Sequence, residues 1–236
     1  MRDNERVYQM TNAVVFYSNT GQSESIANYL SQKLGYDLYD VYDVADYVFD
    51  NLIFVFPVHC QSLPDVAKAF LSRIKAQNVA LLASYGRMCK GNAIFEACKR
   101  YNLTVVAAVY VPAKHTYIDN DEFDDFKVLD CIIDKMQNPC AITIKRSYKN
   151  PFSNFFKRTR SRMGVRIFKN DKCIGCGECN RICKNNAINL GDVNKNCIRC
   201  LKCVKNCPNG ALKFSLRLPM RLYLKKKMKN DTVLYI

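Results

Sequence analysis

Thirteen cysteines stand in this chain of 236 residues, and eight of them lie between Cys173 and Cys207. Residues 173–183 read Cys-Ile-Gly-Cys-Gly-Glu-Cys-Asn-Arg-Ile-Cys, and residues 197–207 read Cys-Ile-Arg-Cys-Leu-Lys-Cys-Val-Lys-Asn-Cys, with Pro208 following. Each cysteine of the first set recurs 24 positions later, and the match runs outward through Asn185 with Asn209, Ala187 with Ala211 and Ile188 with Leu212. This is an internal duplication. Structural zinc sites usually draw on two separated cysteine pairs, a plan that two groups of four thiols in eleven residues each do not follow. Such groups suit iron–sulfur clusters, each held by four thiolates. Gly175 and Gly177 let the backbone turn tightly and aim amide N–H groups at sulfur, which tunes a cluster's potential.

The spacing resembles the C-x2-C-x2-C-x3-C run of bacterial two-cluster ferredoxins. That resemblance implies two [4Fe-4S] clusters with crossed ligation. Cys173, Cys176 and Cys179 would share one with Cys207, and Cys197, Cys200 and Cys203 would share the other with Cys183. Lys184 stands where the first set would normally carry Pro.

A second chemical signal opens the chain. Ser18-Asn19-Thr20-Gly21-Gln22-Ser23 lies between the apolar run 13–18 and a helical pattern. Hydroxyls, a glycine and a helix N-terminus together form a phosphate cradle. A phosphate there would accept hydrogen bonds from Ser18, Thr20, Ser23 and the loop amides. The loop has no Lys and does not follow the G-x-x-x-x-G-K pattern of nucleoside-triphosphate sites, nor the spacing of G-x-G-x-x-G.

The elements that must position these residues alternate. Apolar runs at 13–18, 52–58, 79–86 and 103–111 and the alternating stretch 36–41 read as strands. Helical patterns separate them: one with Ile26, Ala27, Leu30 and Leu34 on a face and Gly35 as its stop, one on Val66, Phe70, Leu71 and Ile74, and one on Ala93, Ile94, Ala97 and Cys98. A last helix is expected from Asp121 to Met136, with Asp121, Glu122, Asp124 and Asp125 in its first turn. Strands alternating with helices predict an α/β fold with an open, doubly wound, mostly parallel sheet.

The phosphate loop resembles the FMN-phosphate loop of flavodoxins. The resemblance implies a flavodoxin-like five-stranded parallel sheet of order 2-1-3-4-5, followed by a small ferredoxin-like α+β domain with two [4Fe-4S] clusters. In that order the loops after strands one, three and four meet at the switch point. The implied FMN site comprises Ser18, Asn19, Thr20, Gly21, Gln22 and Ser23, with Pro57, Val58 and His59, and with Ser84, Tyr85 and Gly86. The second loop lacks the glycine often found beside the flavin, and the chain has no Trp to stack on it, so Tyr85 or His59 would serve. The two resemblances together are those of the flavodoxin–ferredoxin fusion family. The expected domains are 1–138 (flavodoxin-like), 139–165 (basic connector), 166–215 (two-cluster ferredoxin) and 216–236 (basic tail).

The expected function is electron transfer between the clusters, the flavin and a redox partner. Two alternatives stay open: a flavin-dependent reductase of a small substrate, with His59 or Tyr85 as proton donor, and a redox-sensing module without flavin. Residues 1–138 carry 13 basic and 17 acidic side chains, whereas 139–236 carry 23 and 4. Thiolate-bound clusters are anionic and offset part of this excess; an acidic redox protein is the partner it suggests. Leu216, Leu218, Leu222 and Leu224 interleave with bases and admit contact with a membrane surface. No recognised nucleic-acid motif accompanies the charge. Cys60, Cys89, Cys98, Cys131 and Cys140 are scattered and read as core. The first residues carry mixed charge and no apolar leader, and the longest apolar run is too short to span a bilayer. A cytoplasmic protein is expected.

Overall fold

A computed structural model of the chain describes residues 8–44, 47–146 and 160–236. It divides into two compact units. The first spans residues up to His115, Asp119–Asn150 and Lys229–Ile236; the second comprises Thr116–Ile118 and Pro151–Met228.

The first unit is built on β1 (Tyr8–Phe16), β2 (Asp37–Asp40), β3 (Tyr47–Pro57), β4 (Lys75–Tyr85) and β5 (Val105–Pro112). These five pair in parallel in the order β2-β1-β3-β4-β5, the order expected. The helices α1 (Gln22–Leu34), α2 (Asp65–Leu71), α3 (Ala93–Tyr101) and α4 (Asp130–Gln137) connect or follow them. Strands with both faces covered need apolar residues throughout, and β5 is buried along its whole length. One core packs Phe54, Phe56, Phe70, Leu81 and Tyr110, and the other packs Val14, Ile26, Leu30, Ile53, Leu82 and Val109.

Three central strands begin earlier than the apolar runs indicate. Asn12, Asn51 and Asn78 stand in register on β1, β3 and β4. The Asn51 amide donates to Asn12 Oδ1 at 2.7 Å, and the Asn78 amide donates to Asn51 Oδ1 at 3.0 Å. The ladder satisfies polar groups inside the sheet and pins the register, because a one-residue slip would turn every asparagine to the other face.

Three features differ from the sequence expectation. The sheet has a sixth strand: β10 (Val233–Tyr235) pairs antiparallel with β5, so the end of the basic segment 216–236 completes this unit. The last helix starts later than Asp121, as a 3-10 turn at Phe126–Leu129 leading into α4. Its acidic approach is held elsewhere: Phe123 N donates to Gln22 Oε1 at 2.8 Å, and Gln22 Nε2 donates to Phe123 O at 3.0 Å. Cys140 is exposed rather than core, since it lies beyond the end of α4.

The second unit contains α5 (Arg160–Gly164), β6 (Val165–Lys169), α6 (Glu178–Arg181), β7 (Ile188–Asn189), β8 (Asp192–Val193), α7 (Lys202–Lys205), β9 (Leu212–Leu216) and α8 (Leu218–Leu224). β6 pairs antiparallel with β9, and β7 with β8. The 24-residue repeat is also a structural repeat: α6 maps onto α7 and the start of β7 onto the start of β9. Lys149, Lys157 and Arg158 of the expected connector lie outside the described residues. Among the described residues no helix is long and apolar enough to cross a membrane.

Candidate functional site

The two cysteine loops repeat bond for bond. Cys173 N donates to Asn170 O at 3.1 Å, and Cys197 N to Asn194 O at 3.2 Å. Asn170 N donates to Ala211 O at 3.0 Å, and Asn194 N to Ala187 O at 2.9 Å, so each half closes on the other. The fourth cysteine of each set receives an amide: Ala187 N donates to Cys183 Sγ at 3.4 Å and Ala211 N to Cys207 Sγ at 3.2 Å. Backbone N–H groups, that of Leu212 foremost, hold the Cys207 thiol below its ordinary pKa. N–H groups converging on sulfur favour a thiolate, the ligand state.

The sulfurs of the second loop lie deeper. Burial, followed by the charges of Cys200, Cys197, Cys183 and Cys179, pushes the Cys203 thiol up to about 12. Burial, opposed by the Lys202 amide and reinforced by Cys197 and Cys183, also raises Cys200. Thiols raised in this way hold their protons until a metal displaces them, as ligation to iron would. Cys183, Cys197, Cys200 and Cys203 are the four that the ferredoxin resemblance assigns to one cluster, and Cys179 approaches them from the other set. Among the described residues no three metal-ligating side chains converge on one point as a single ion requires. Small apolar groups pack around the cysteines: Val165, Ile167 and Leu201 beside Cys197, and Ile188 and Leu212 beside Cys203.

In the first unit the three expected loops meet at the C-terminal ends of the parallel strands. Ser23 Oγ lies 3.0 Å from Ser84 Oγ, both side chains buried, and Val58 N donates to Ser84 O at 2.7 Å. Pro57 pairs with Ser84 in register. Most side chains of the first loop are committed to shaping it. Asn19 Nδ2 donates to Tyr17 Oη at 2.8 Å, Gln22 is held by Phe123, and Ser18 Oγ accepts Gly21 N at 3.0 Å. Ser18 thereby keeps its own hydroxyl proton for another acceptor. Thr20 is exposed. Gly21, at φ 99°, has nothing within 4 Å of where a Cβ would sit, and α1 starts without a side-chain cap. An uncapped N-terminus under open space fits a phosphate.

The loop after β3 is a two-residue turn. His59 N donates to Ser62 O at 3.0 Å, Ser62 N donates to His59 O at 2.9 Å, and Cys60 and Gln61 have φ of 48° and 70°. Two successive left-handed residues replace the glycine expected there, at a strain of about 1 kcal/mol or more each. Gly91, at φ 59°, packs directly on the Gln61 backbone. Gln61 Oε1 is buried with no hydrogen-bond partner, an orphan acceptor that nothing in the sequence marks.

Tyr85 is placed differently from a stacking residue. Its ring is 2% exposed within the core, and its hydroxyl donates to Asp231 O at 2.8 Å. Arg87 Nη1 reaches Asn230 Oδ1 at 2.6 Å, and Lys229 N donates to Arg87 O at 2.6 Å. The chain's last residues thus cover the loop after β4. Gly86 faces the ring of His115, whose Cδ2 would lie 2.7 Å from an added Cβ.

Residues 167–189 and 193–213 each match the 4Fe-4S binding domain family, which coincides with the two halves of the repeat. The matched residues make the second unit a ferredoxin-type 4Fe-4S module, and the first unit carries the parallel sheet order expected of a flavodoxin-like fold. The ferredoxin module supports [4Fe-4S] clusters and an electron-transfer role. No curated protein matches the chain in sequence. Among solved structures, the chain is similar to a short-chain flavodoxin associated with a non-canonical PDU bacterial microcompartment, at 15% identity over 55% of this chain and 98% of that one, with a TM-score of 0.42. A flavodoxin from the domain Archaea is similar at 17% identity over 55% and 98%, with a TM-score of 0.36.

Proposed function

We propose that this fusion is an electron-transfer iron–sulfur flavoprotein, in which the two clusters exchange electrons with an FMN at the ends of β1, β3 and β4 and with an acidic redox partner. The observation that carries the reading is the junction of Ser23, Ser84 and Val58 beside an uncapped α1, on the same chain as two complete cysteine sets. FMN, when bound, supplies interchange between one-electron and two-electron chemistry.

The chain's own residues supply position. Thr20 and the proton of Ser18 would hold the phosphate together with the first-turn amides of α1, where the helix dipole favours its charge. Of the other expected loops, the His59–Ser62 turn would border the ring, and Gln61 Oε1 is the acceptor it could offer to a ring N–H. The Tyr85 hydroxyl is already bound to the Asp231 carbonyl, which leaves His59 as the proton donor that a small-molecule reductase would need. The excess of basic residues beyond position 138 supports docking of an acidic protein.

The test is anaerobic titration of the purified full chain with sub-stoichiometric dithionite, following flavin and cluster absorbance together. Flavin reduction that keeps pace with the clusters supports the proposal. A flavin that stays oxidised while the clusters are reduced, or a protein that takes up no FMN, contradicts it.

A further inference from the structure

The duplicated cysteine loops share a backbone and differ in what they hang on it. Gly175 and Arg199 are equivalent in the repeat, at φ 68° and 61°, as are Gly177 and Leu201, at 76° and 61°. Left-handed backbone disfavours side chains, so the second loop tolerates twice a conformation for which the first uses glycine. Crowding does not explain the difference, because a Cβ on Gly175 or Gly177 would meet nothing within 4 Å.

Leu201 has an evident place, 1% exposed in the core with Val165 and Ile167. Arg199 has only half of one. Its Nε donates to Val165 O at 3.1 Å, and its own carbonyl accepts the Tyr117 hydroxyl at 2.8 Å. Its Nη1 is buried with no hydrogen-bond partner. A guanidinium is always charged and carries no acceptor, and a buried charged donor left unpaired is costly. An acceptor is therefore missing from the protein part of this site. Arg199 sits between Cys197 and Cys200, two of the cysteines for a cluster whose sulfurs are anionic acceptors.

We propose that Arg199 Nη1 donates a hydrogen bond to a sulfur of the cluster held by the second cysteine loop, and that this makes it the more readily reduced of the two clusters. A fixed positive charge and an N–H group at sulfur favour the added electron. Burial acts the other way, since the reduced cluster is the more highly charged. The direct charge prevails because it acts at hydrogen-bond distance in a site of low dielectric, where charge–charge interactions are strongest. Gly175 gives the first cluster no counterpart.

The inference rests on the chain carrying two clusters, and iron content tests that separately. In an EPR-monitored redox titration of the full chain with about eight iron bound, the wild type should show two midpoint potentials. They should differ by at least tenfold in equilibrium constant, about 59 mV for a one-electron couple. Arg199→Gly, which places the first loop's residue on the same backbone, should lower the higher potential by that amount and leave the other in place. Should this variant fail to load, Arg199→Gln, which keeps a donor for the Val165 carbonyl without the charge, must lower the same potential. Coincident potentials in an eight-iron wild type, or a gap unchanged in either loaded variant, overturn the proposal. A chain that loads only four iron overturns it together with the two-cluster reading.

Discussion

Ser23 and Ser84 share a buried hydrogen bond of 3.0 Å that ties the loop opening α1 to the end of β4. It fixes the spacing between the residues that would take the phosphate and those that would flank the ring. Ser84→Ala should therefore loosen FMN and riboflavin alike, and should cost about 1–3 kcal/mol of stability by stranding the Ser23 hydroxyl. Thr20, exposed in the same loop, should behave differently. A hydrogen bond from Thr20 to a charged phosphate would be worth about 1.5–3 kcal/mol, so Thr20→Ala should weaken FMN tenfold or more and leave riboflavin unchanged. Fluorescence titration with both flavins checks this. Equal losses for both flavins in Thr20→Ala would place the phosphate elsewhere.

Gly91 meets two constraints at once, φ 59° and a backbone contact with Gln61. A methyl group there forces the turn after β3 to move. Gly91→Ala should destabilise by about 2 kcal/mol or more from overpacking and strain, and should loosen flavin while leaving iron content unchanged. Urea unfolding with parallel iron assay reads both quantities. A variant of wild-type stability would mean that the Gln61–Gly91 contact is dispensable.

The parts of the fold legible in the sequence were those set by local chemistry. Continuous apolar runs marked four of the five parallel strands and alternation marked β2, Gly35 marked the end of α1 through its left-handed φ of 67°, and the cysteine repeat declared itself. What was hidden depends on distant partners. Asn12, Asn51 and Asn78 look like strand breakers until they bond to one another. The acidic run before α4 reads as a helix start, but its backbone is engaged by Gln22, about a hundred residues earlier. Three residues of β10 give no periodic signal of their own and are strand only against β5. Of the site, the hydroxyl loop and the cysteines were legible, whereas the orphan atoms of Gln61 and Arg199 were not. Arg199 had one available signal, its place opposite Gly175 in the repeat.

His115 should make the first unit sensitive to mild acid. Burial lowers its pKa from 6.5 to about 4. The unfolded chain takes up a proton as pH falls through about 6.5 and the folded chain does not until about 4. Stability should therefore be unaffected above neutral pH, decline between about 6.5 and 4, and level off below, a loss on the order of 3 kcal/mol from this group. In urea unfolding followed by circular dichroism, His115→Asn should show a shallower decline over that window. Identical pH slopes in both proteins would remove His115 as the cause.

The basic residues of α8 and its following turn are exposed, and β10 beyond them is structural. Deleting the whole segment would uncover Tyr85 and the edge of β5. The charge is better tested by Lys225→Gln, Lys226→Gln and Lys227→Gln together. Electron transfer from an acidic one-electron donor should slow as ionic strength rises from about 0.01 to 0.15 M, where the Debye length falls from about 30 to 8 Å. The triple variant should flatten that dependence. A rate indifferent to salt would assign these lysines to solvation alone.

One chain should hold two clusters and a flavin. Quantifying iron, acid-labile sulfide and released flavin per chain after anaerobic purification tests it most directly. The account predicts about eight iron and eight sulfide, from two cubanes with four thiolates each, and about one FMN. A reconstituted protein that contains zinc alone, or no metal, or clusters without any flavin, would contradict it.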